Sequence, residues 1–387
     1  MRRFALAALL LLSLCLVAFF ALAPGIAERS QNVVRAHEPA QVSVEARALH
    51  DDLLIGDWHA DSLLWKRSIL KRADRGHVDL PRLIEGNVAL QVFTAVTRSP
   101  RGLNYETNAA DAPDDITLLA MGQLWPVRTW SSLAERALYQ AQKLQDAADG
   151  SDGRLRVIRS GADLDTLLAD RAADRTVVGG IFGIEGGHAL EGNIENLDRL
   201  EAAGLRLVGL QHFFDNDLGG SLHGEDESGL TDFGRLVVLE VVRRNMVLDL
   251  AHSSPQVVRD VLALTNIPLV VSHTGIHSHC PTPRNFADPL MQDIARRGGV
   301  IGIGYWASVT CDDSPAGIAA AIKAAIALVG EDHVSLGSDF DGTVTTSFDT
   351  SELAGLTQAM LDAGLSERQI RKIAGENMVR VLKARLP

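Results

Sequence analysis

Short apolar segments recur along the chain, and nearly every one of them ends at a polar or titratable residue. The segments are brief and rich in β-branched residues, a pattern that is typical of buried strands. Stretches with helical periodicity lie between them, among them 133–148, 233–245, 255–264 and 315–329. Eight strands are predicted in this way, at 53–58, 88–96, 177–184, 205–211, 246–251, 269–272, 300–304 and 334–338.

The alternation of strands and helices predicts an α/β fold, a (β/α)8 TIM barrel that occupies residues 46–387. A doubly wound sheet would gather its chemistry at one switch point, and no G-x-G-x-x-G motif follows the first predicted strand. The connection between the second and third strands, residues 98–152, is long enough to form a lid or to pack over the barrel. We call this connection the excursion.

Two histidines, His252 and His273, end consecutive predicted strands. Parallel strands present their carboxyl ends on one face of a sheet, so these two side chains are expected to share a site. His59 and Asp61 end the first strand, and alternate residues of an extended segment point the same way. Glu185 ends the third strand, where a buried carboxylate is costly unless it is paired or coordinated.

These three histidines and two carboxylates form a nitrogen and oxygen ligand set that suits zinc, with manganese or cobalt as substitutes. The set is too large for one tetrahedral ion that keeps an open position. We therefore expect two zinc ions per chain, with Glu185 as the bridging carboxylate. Asp339, at the end of the last strand, is a further candidate ligand. His212, at the end of the fourth strand, is a ligand, a charge stabiliser or a buried core histidine.

A second His-x-Asp pair, His77 and Asp79, is expected to be structural. Asp79 precedes Leu80 and Pro81, which is typical of a helix start with Asp79 as the N-cap. Ser131 and Ser132 similarly precede a predicted helix within the excursion and are expected to cap it, and the final helix is predicted to open with a capping box at 366–369.

The net charge of the chain limits its possible partners, and its N-terminal residues indicate its cellular location. The formal net charge of −12 argues against nucleic acid as a partner, because a polyanion would repel the chain. Residues 1–27 combine Arg2 and Arg3 with a long apolar run. The run is longer than the usual signal core and nearer the length of a membrane span, while 25–27 offers a cleavage site, so both a signal peptide and an anchor remain open. Residues 28–45 are expected to be a polar tether.

Whether residues 1–27 are a signal peptide or a membrane anchor, the rest of the chain is expected to lie outside the cytoplasm. It would be in the periplasm or on the extracytoplasmic face of a membrane. Cys280 and Cys311 are then the only cysteines of the exported part, in a compartment where disulfides persist. We predict that they pair. An uncleaved N-terminal segment would make the membrane a partner, and a homodimer is among the expected assemblies.

With these residues in place, the sequence resembles the membrane (renal-type) dipeptidases, the M19 metallopeptidase family of the amidohydrolase-like barrels, from about residue 53 to about residue 382. The resemblance rests on several motifs that are specific in combination. They are Gly183-Ile-Glu-Gly-Gly-His188, Gly229-Leu-Thr-Asp-Phe-Gly234, Val247-Leu-Asp-Leu-Ala-His252-Ser, Ser272-His273, Pro283-Arg284-Asn285 and Gly337-Ser-Asp339-Phe-Asp-Gly342.

The resemblance implies a binuclear zinc barrel that cleaves dipeptides. Matching the motifs, His59, Asp61 and Glu185 would hold one zinc ion. Glu185, His252 and His273 would hold the other. The resemblance also supports the pairing of the two cysteines, since similar cysteines flank the corresponding loops in some relatives.

The remaining roles that the resemblance implies concern the substrate. His212 would face the substrate and stabilise the oxyanion, and Arg284 would bind the free C-terminal carboxylate of a dipeptide. Asp339 would pass a proton to the leaving amine, and Tyr305 is expected to line the pocket. The family often tolerates a D-residue at the C-terminal position, so such dipeptides are included.

Two departures and two alternatives accompany this interpretation. Ala60 stands where many relatives have Asn, and the excursion carries no motif that indicates side-chain preference. Another binuclear barrel hydrolase, acting on β-lactams, lactones or phosphotriesters, is one alternative, although those barrels commonly begin with His-x-His. A membrane-tethered barrel without catalytic activity is the other, although no predicted ligand is missing.

Overall fold

Eight parallel strands close into a barrel in the computed structural model, which describes residues 2–387. Each strand pairs with its neighbours in chain order, and the last pairs with the first through Leu336 and Asp57. The TIM barrel predicted from the sequence is therefore confirmed. The strands are β1 (Ile55–Ala60), β2 (Val88–Val96), β3 (Val178–Glu185), β4 (Leu205–Gly209), β5 (Val247–Asp249), β6 (Val270–Thr274), β7 (Val300–Ile303) and β8 (Val334–Leu336).

Two of the strands that carry site histidines are irregular near their carboxyl ends. The pairing of β1 with β2 shifts register between Asp57 and Ala60, and that of β6 with β7 shifts between Val271 and Thr274. Such bulges turn side chains and are common next to active sites. They lie beside His59 and His273, which belong to the ends of their strands instead of following them.

Helices surround the barrel, and many begin at the side-chain caps that the sequence predicts. Asp79 accepts a hydrogen bond from the Arg82 amide, Ser132 accepts one from the Glu135 amide, and the capping box at Ser366 is present. The α-helices span Arg2–Gln31, Val44–Asp52, Leu80–Glu85, Asp115–Gly122, Leu133–Asp149, Gly161–Ala173, Glu195–Ala202, Asp232–Arg243, Pro255–Leu264, Asp288–Arg296, Ala307–Thr310, Pro315–Val329, Leu353–Asp362, Glu367–Arg371 and Asn377–Arg385.

Two short pairings lie outside the barrel. Residues Leu155–Val157, which follow the excursion, add a strand to the outer edge of β3. Val33–Val34 pairs with Thr345–Thr346 in the loop after β8. The second pairing attaches the N-terminal segment to the loop that carries Asp339.

The segment expected to be a polar tether, residues 28–45, is partly ordered against the barrel. The N-terminal helix continues to Gln31, and the buried Glu28 pairs with Arg67 and with Arg75. These guanidinium partners, together with the strand Val33–Val34, hold a segment whose composition alone suggested flexibility. Only the part that leads to Val44 is without regular structure.

The N-terminal helix is long and apolar enough to cross a membrane. Its candidate span, Leu9–Gln31, has a mean hydropathy of 2.6 and is 6% buried in the fold. A signal sequence near the N-terminus can meet the same criteria, so length and composition are compatible with both forms considered for residues 1–27.

Cys280 and Cys311 form a disulfide, as predicted. The bond joins the loop after β6 to the end of the short helix Ala307–Thr310 that follows β7. It thereby links two neighbouring loops on the same face of the barrel as His273.

Candidate metal centre and active site

Titratable side chains converge at the carboxyl ends of the barrel strands, on the face where TIM-barrel enzymes place their active sites. Each of them is at most 8% exposed. Because the strands are parallel and closed, residues far apart in sequence meet at the barrel axis. The set consists of His59, Asp61, Glu185, His212, His252, His273 and Asp339.

Glu185 stands at the centre of this set. Its Oε1 atom lies 3.5 Å from His59 Nε2, 3.2 Å from His252 Nε2 and 3.3 Å from His273 Nε2. Its Oε2 atom lies 3.3 Å from His212 Nε2. One carboxylate thus contacts histidines from four strand ends, which is the position that a bridging ligand requires.

The first His-x-Asp pair lies on one side of Glu185. Asp61 Oδ1 is 3.5 Å from His59 Nε2 and accepts a 2.6 Å hydrogen bond from Thr94 Oγ1. Asp339 Oδ1 lies 3.9 Å from the same histidine nitrogen. The hydroxyl of Thr94, near the carboxyl end of β2, therefore orients Asp61 toward the shared space.

The donor atoms fit metal ions in both spacing and chemistry. Three groups of three, each with donor atoms within 4.8 Å of one another, are His59, His273 and Asp339; Glu185, His212 and His252; and His59, Asp61 and Glu185. The Nε2 atoms of His252 and His273 are 2.9 Å apart, so at most one proton fits between them. Burial lowers the pKa of both rings well below the usual value, which favours the neutral form that a metal ligand needs.

Burial acts in the opposite direction on the carboxyls. It raises the pKa of Glu185 well above its ordinary value and that of Asp339 to about 8. Bound dications would lower both values, because they favour the charged carboxylate. A cluster of buried carboxylates and neutral imidazoles is therefore stabilised by cations placed among them.

Two buried aspartates that the sequence analysis did not single out position the backbone of the site. Asp57 accepts hydrogen bonds from the amides of His59, at 3.0 Å, and Ser338, at 2.9 Å. Asp249 accepts from the amides of Ala251 and Ser272, at 3.0 and 2.9 Å. Each thus links the ends of two neighbouring strands. Their place two or three residues before a strand-end histidine is the signal that could have identified them.

The residues at two strand ends adopt left-handed backbone conformations. The φ angles of His252 and Asp339 are +61° and +60°. This conformation is energetically unfavourable for residues other than glycine. Such residues cluster at active sites, where the surrounding structure holds them in place. The hydrogen bonds around Asp57 and Asp249 provide part of that support.

The excursion orients the ring of His212. Its Nδ1 lies 3.1 Å from the carbonyl oxygen of Arg98, so the neutral ring donates from Nδ1 and presents a lone pair at Nε2 to Glu185. A histidine that ligates a metal commonly donates its other nitrogen in this way. Burial lowers the pKa of His212 to about 4, so donation from Nε2 requires a negative charge nearby. His212 lines the cavity and is not a core histidine.

Arg284 is fully buried beside the two histidines of the second predicted zinc. Its Nη2 donates to the carbonyl oxygen of His273 at 2.8 Å, and the guanidinium lies 5.6 Å from the ring centroid of Trp306. Its Nε and Nη1 make no hydrogen bond to any residue that the structure describes. A buried guanidinium with unused donors at the cavity is suited to an anionic group of a ligand.

Tyr305 does not line the cavity, contrary to our expectation. Its side chain is 1% exposed, and its ring packs against Phe340 and Phe348. Tyr105 of the excursion lines the cavity instead, and its hydroxyl accepts a 3.0 Å hydrogen bond from Trp306 Nε1. Tyr105 lies in a polar stretch without periodicity, so no sequence signal indicated it.

The cavity above the cluster has two walls. Strand-end residues form one of them, and the excursion supplies the other through Ser99, Leu103, Tyr105 and Ile116. The predicted excursion between β2 and β3 therefore reaches the site.

The model of the membrane dipeptidase family, peptidase family M19, matches residues 43–385. The chain belongs to this family. It is a metallo-dipeptidase, and the converging carboxylates and imidazoles form groups that could hold metal ions.

Relatives and solved structures agree with this assignment to the membrane dipeptidases. Dipeptidase aclJ of Aspergillus oryzae is 29% identical over 353 residues, which cover 84% of this chain and 76% of that protein. The crystal structure of dipeptidase AC, a metallopeptidase of family M19, is 27% identical with a TM-score of 0.70 and covers 86% of this chain and 99% of its own. A metallopeptidase from Rhodobacter sphaeroides, solved with a phosphinate mimic of the dipeptide L-Ala-D-Ala, is 26% identical with a TM-score of 0.67 at the same coverage.

Proposed function

We propose that this membrane dipeptidase uses two zinc ions to hydrolyse dipeptides with a free C-terminal carboxylate, including dipeptides whose C-terminal residue is D. The observation that carries the proposal is the position of Glu185. One of its oxygens faces three histidines and the other faces a fourth, all within 3.5 Å. A single ion would leave part of this donor set unused, whereas two ions that share a carboxylate would use it.

The ligands divide into two groups around Glu185. His59 and Asp61 would hold the first ion with Glu185, and His252 and His273 would hold the second with it. Bound zinc would supply an activated water near neutral pH and polarise the scissile carbonyl. Thr94 and Ser272 support these roles, because their hydroxyls contact Asp61 at 2.6 Å and His273 Nδ1 at 2.8 Å.

Asp339 is the proposed proton carrier. It lines the cavity and lies 3.9 Å from His59, so its carboxyl is close to the space between the ligands while still facing the substrate side. In that position it can take a proton from the attacking water and deliver it to the leaving amine. His212, on the other side of Glu185, would stabilise negative charge that develops on the carbonyl oxygen.

Arg284 would bind the C-terminal carboxylate of the substrate. Its Nε and Nη1 are free to donate to a carboxylate, and its burial strengthens such a charge-assisted contact. The position beside His252 places this carboxylate close to the scissile bond, which favours dipeptides over longer peptides. The inhibitor bound by the Rhodobacter sphaeroides metallopeptidase supports acceptance of a D-residue at that end.

The test combines metal analysis with a panel of substrates on the purified chain. We expect about two zinc ions per chain, hydrolysis of L,L- and L,D-dipeptides, and little hydrolysis of the same dipeptides with a C-terminal amide. The amides are the matched control for the carboxylate contact. Zinc without peptide hydrolysis, or preferential hydrolysis of a β-lactam, a lactone or a phosphotriester, would contradict the proposal.

We also propose that the N-terminal helix is retained as a membrane anchor and that the barrel lies on the extracytoplasmic side. Cleavage after Ala27 would remove most of a helix whose end is attached to the barrel through Glu28 and Arg29, which pair with Arg67 and Asp74. Arg2 and Arg3 at the start of the helix favour a cytoplasmic N-terminus. Mass spectrometry of the membrane fraction should find the uncleaved chain, and a mature chain that begins at Glu28 would rule out retention.

A further inference from the structure

The excursion presents several large apolar side chains to solvent. Leu118, Leu124 and Val127 are 58%, 57% and 70% exposed. Exposed apolar residues are ordinary when they are scattered, but these three lie within ten residues of one another along the chain. We call them the apolar edge of the excursion.

One residue of the apolar edge, Leu118, adjoins the N-terminal helix. Phe19, Ala23 and Ala27 of that helix share an apolar groove with Leu118 and Leu119 of the helix Asp115–Gly122. An apolar surface that begins on a candidate membrane span therefore extends onto the excursion. A bilayer that receives the span would also meet this part of the catalytic domain.

Charged residues mark the depth at which the bilayer would end. Lys66 Nζ donates to the carbonyl oxygen of Phe20 at 3.0 Å, which places an ammonium group beside the helix at that level. Between Arg3 and Phe20 the helix rises about 26 Å at 1.5 Å per residue, close to the thickness of a hydrocarbon core. The headgroup layer would then begin near Phe20, next to Ala23 and the groove with Leu118.

We propose that the apolar edge, Leu118, Leu124 and Val127, inserts into the headgroup layer of the membrane that holds the N-terminal helix. The occupant of this surface is the lipid bilayer, and the contact is apolar, since the net charge of −12 does not favour anionic lipid. The excursion also forms one wall of the active-site cavity through Leu103, Tyr105 and Ile116. The docked enzyme therefore opens its cavity close to the membrane surface. The proposal rests on retention of the anchor.

The experiment measures contact with lipid at single labelled positions in the full chain, reconstituted into phosphatidylcholine vesicles. Leu118→Cys, Leu124→Cys and Val127→Cys are made in a Cys15→Ser background and labelled with an NBD fluorophore. Leu236→Cys is the matched control, because Leu236 is also an exposed leucine, 45% accessible, on the helix Asp232–Arg243. The native Cys15, labelled in the unaltered chain, reports insertion of the N-terminal helix itself.

Phosphatidylcholine with a doxyl group near the headgroup then quenches labels that contact the bilayer. We expect the labels at 118, 124 and 127 to lose about twofold more emission than the label at 236, because only a docked surface reaches the headgroup layer. Quenching at Cys15 without excess quenching at the three positions would overturn the docking proposal and leave the anchor intact. No quenching at Cys15 would overturn both the docking proposal and the proposed membrane anchor. Dipeptide hydrolysis is measured on the same vesicles, so a failure of the proposed function is seen separately.

Discussion

The two walls of the active-site cavity differ in chemistry and in origin. The barrel wall is built from strand ends and the loops that follow them and carries the carboxylates, the imidazoles and Arg284, while the excursion wall contributes Ser99, Leu103, Tyr105 and Ile116. The barrel wall is also tied by buried hydrogen bonds through Asp57 and Asp249. The difference indicates that the barrel supplies the chemistry and that the excursion decides which side chains of a substrate fit.

The largest effect is expected at the centre of the barrel wall. Glu185→Gln should remove both metals and lower kcat/KM by more than about 10³-fold, because the proposed bridge is lost. Metal is measured by elemental analysis of the purified variant, and activity with one L,L-dipeptide. Glu195→Gln, at an exposed glutamate, is the matched control.

The histidine variants sharpen this expectation. His252→Ala or His273→Ala should deplete about one metal per chain, whereas Glu185→Gln disturbs both. His212→Ala should keep both metals if His212 faces the carbonyl. Equal loss of both metals in the His252, His273 and Glu185 variants would leave a two-ion site but contradict this division, and metal loss in the His212 variant would make that residue a ligand.

A second variant of the barrel wall, Asp339→Asn, distinguishes a role in proton transfer from a role in metal binding. Asp339→Asn keeps the shape of the side chain and removes its proton affinity, so kcat should fall by about 10²–10⁴-fold. The metal content should remain unchanged, as elemental analysis will show. Retained activity would remove Asp339 from the mechanism, and loss of metal would assign it to the ligands, where its distance of 3.9 Å from His59 also allows it.

A smaller effect is expected from the excursion wall. Leu103→Ala and Ile116→Ala should change the preference among dipeptides by about tenfold, since one pocket contact contributes about 1–3 kcal/mol to discrimination. The metal content should equal that of the unaltered enzyme. Rates are compared on dipeptides that differ only in side-chain size. A uniform loss of activity on all dipeptides would show that the excursion acts on the chemistry instead of on fit.

The smallest effect concerns the attachment of the excursion to the barrel. Lys143 donates from Nζ to the carbonyl oxygens of Leu63 and Trp65, and burial lowers its pKa to about 7. The unfolded chain, with a lysine pKa of about 10.4, binds more protons between these values, so stability should rise with pH from about 7 to about 10.

Urea unfolding at pH 7 and pH 9 measures this dependence. Lys143→Met should reduce the rise in the unfolding midpoint, because the titrating group is gone. Lys323→Met is the matched control, since that lysine is exposed and also donates to a backbone carbonyl oxygen. An equal rise with pH in the unaltered chain and in the Lys143 variant would contradict the assignment.

Most of the barrel could be predicted from local pattern. The eight strands and the helices 255–264 and 315–329 were readable because apolar periodicity and caps act over a few residues. The convergence of His59, Glu185, His252 and His273 followed from one rule, that parallel strands end on the same face. The pairing of the two cysteines followed from the compartment.

The expectations from the sequence failed where contacts between residues distant in sequence determine the conformation. Tyr305 follows β7, and only the packing of Phe340 and Phe348 turns its ring into the core. Residues 28–45 have the composition of a tether, and the buried partners of Glu28 lie about 40 residues or more away along the chain. Tyr105 reaches the cavity because the excursion folds back over it.

The sequence by itself determined the barrel and the strand-end donor atoms, because each depends on local periodicity or on a rule of topology, and it determined the disulfide through the compartment. The tertiary structure decided which oxygen of Glu185 meets which histidine, which tyrosine reaches the cavity and how the N-terminal helix joins the domain. These features depend on contacts between residues distant in sequence. No local pattern encodes the direction in which such side chains turn.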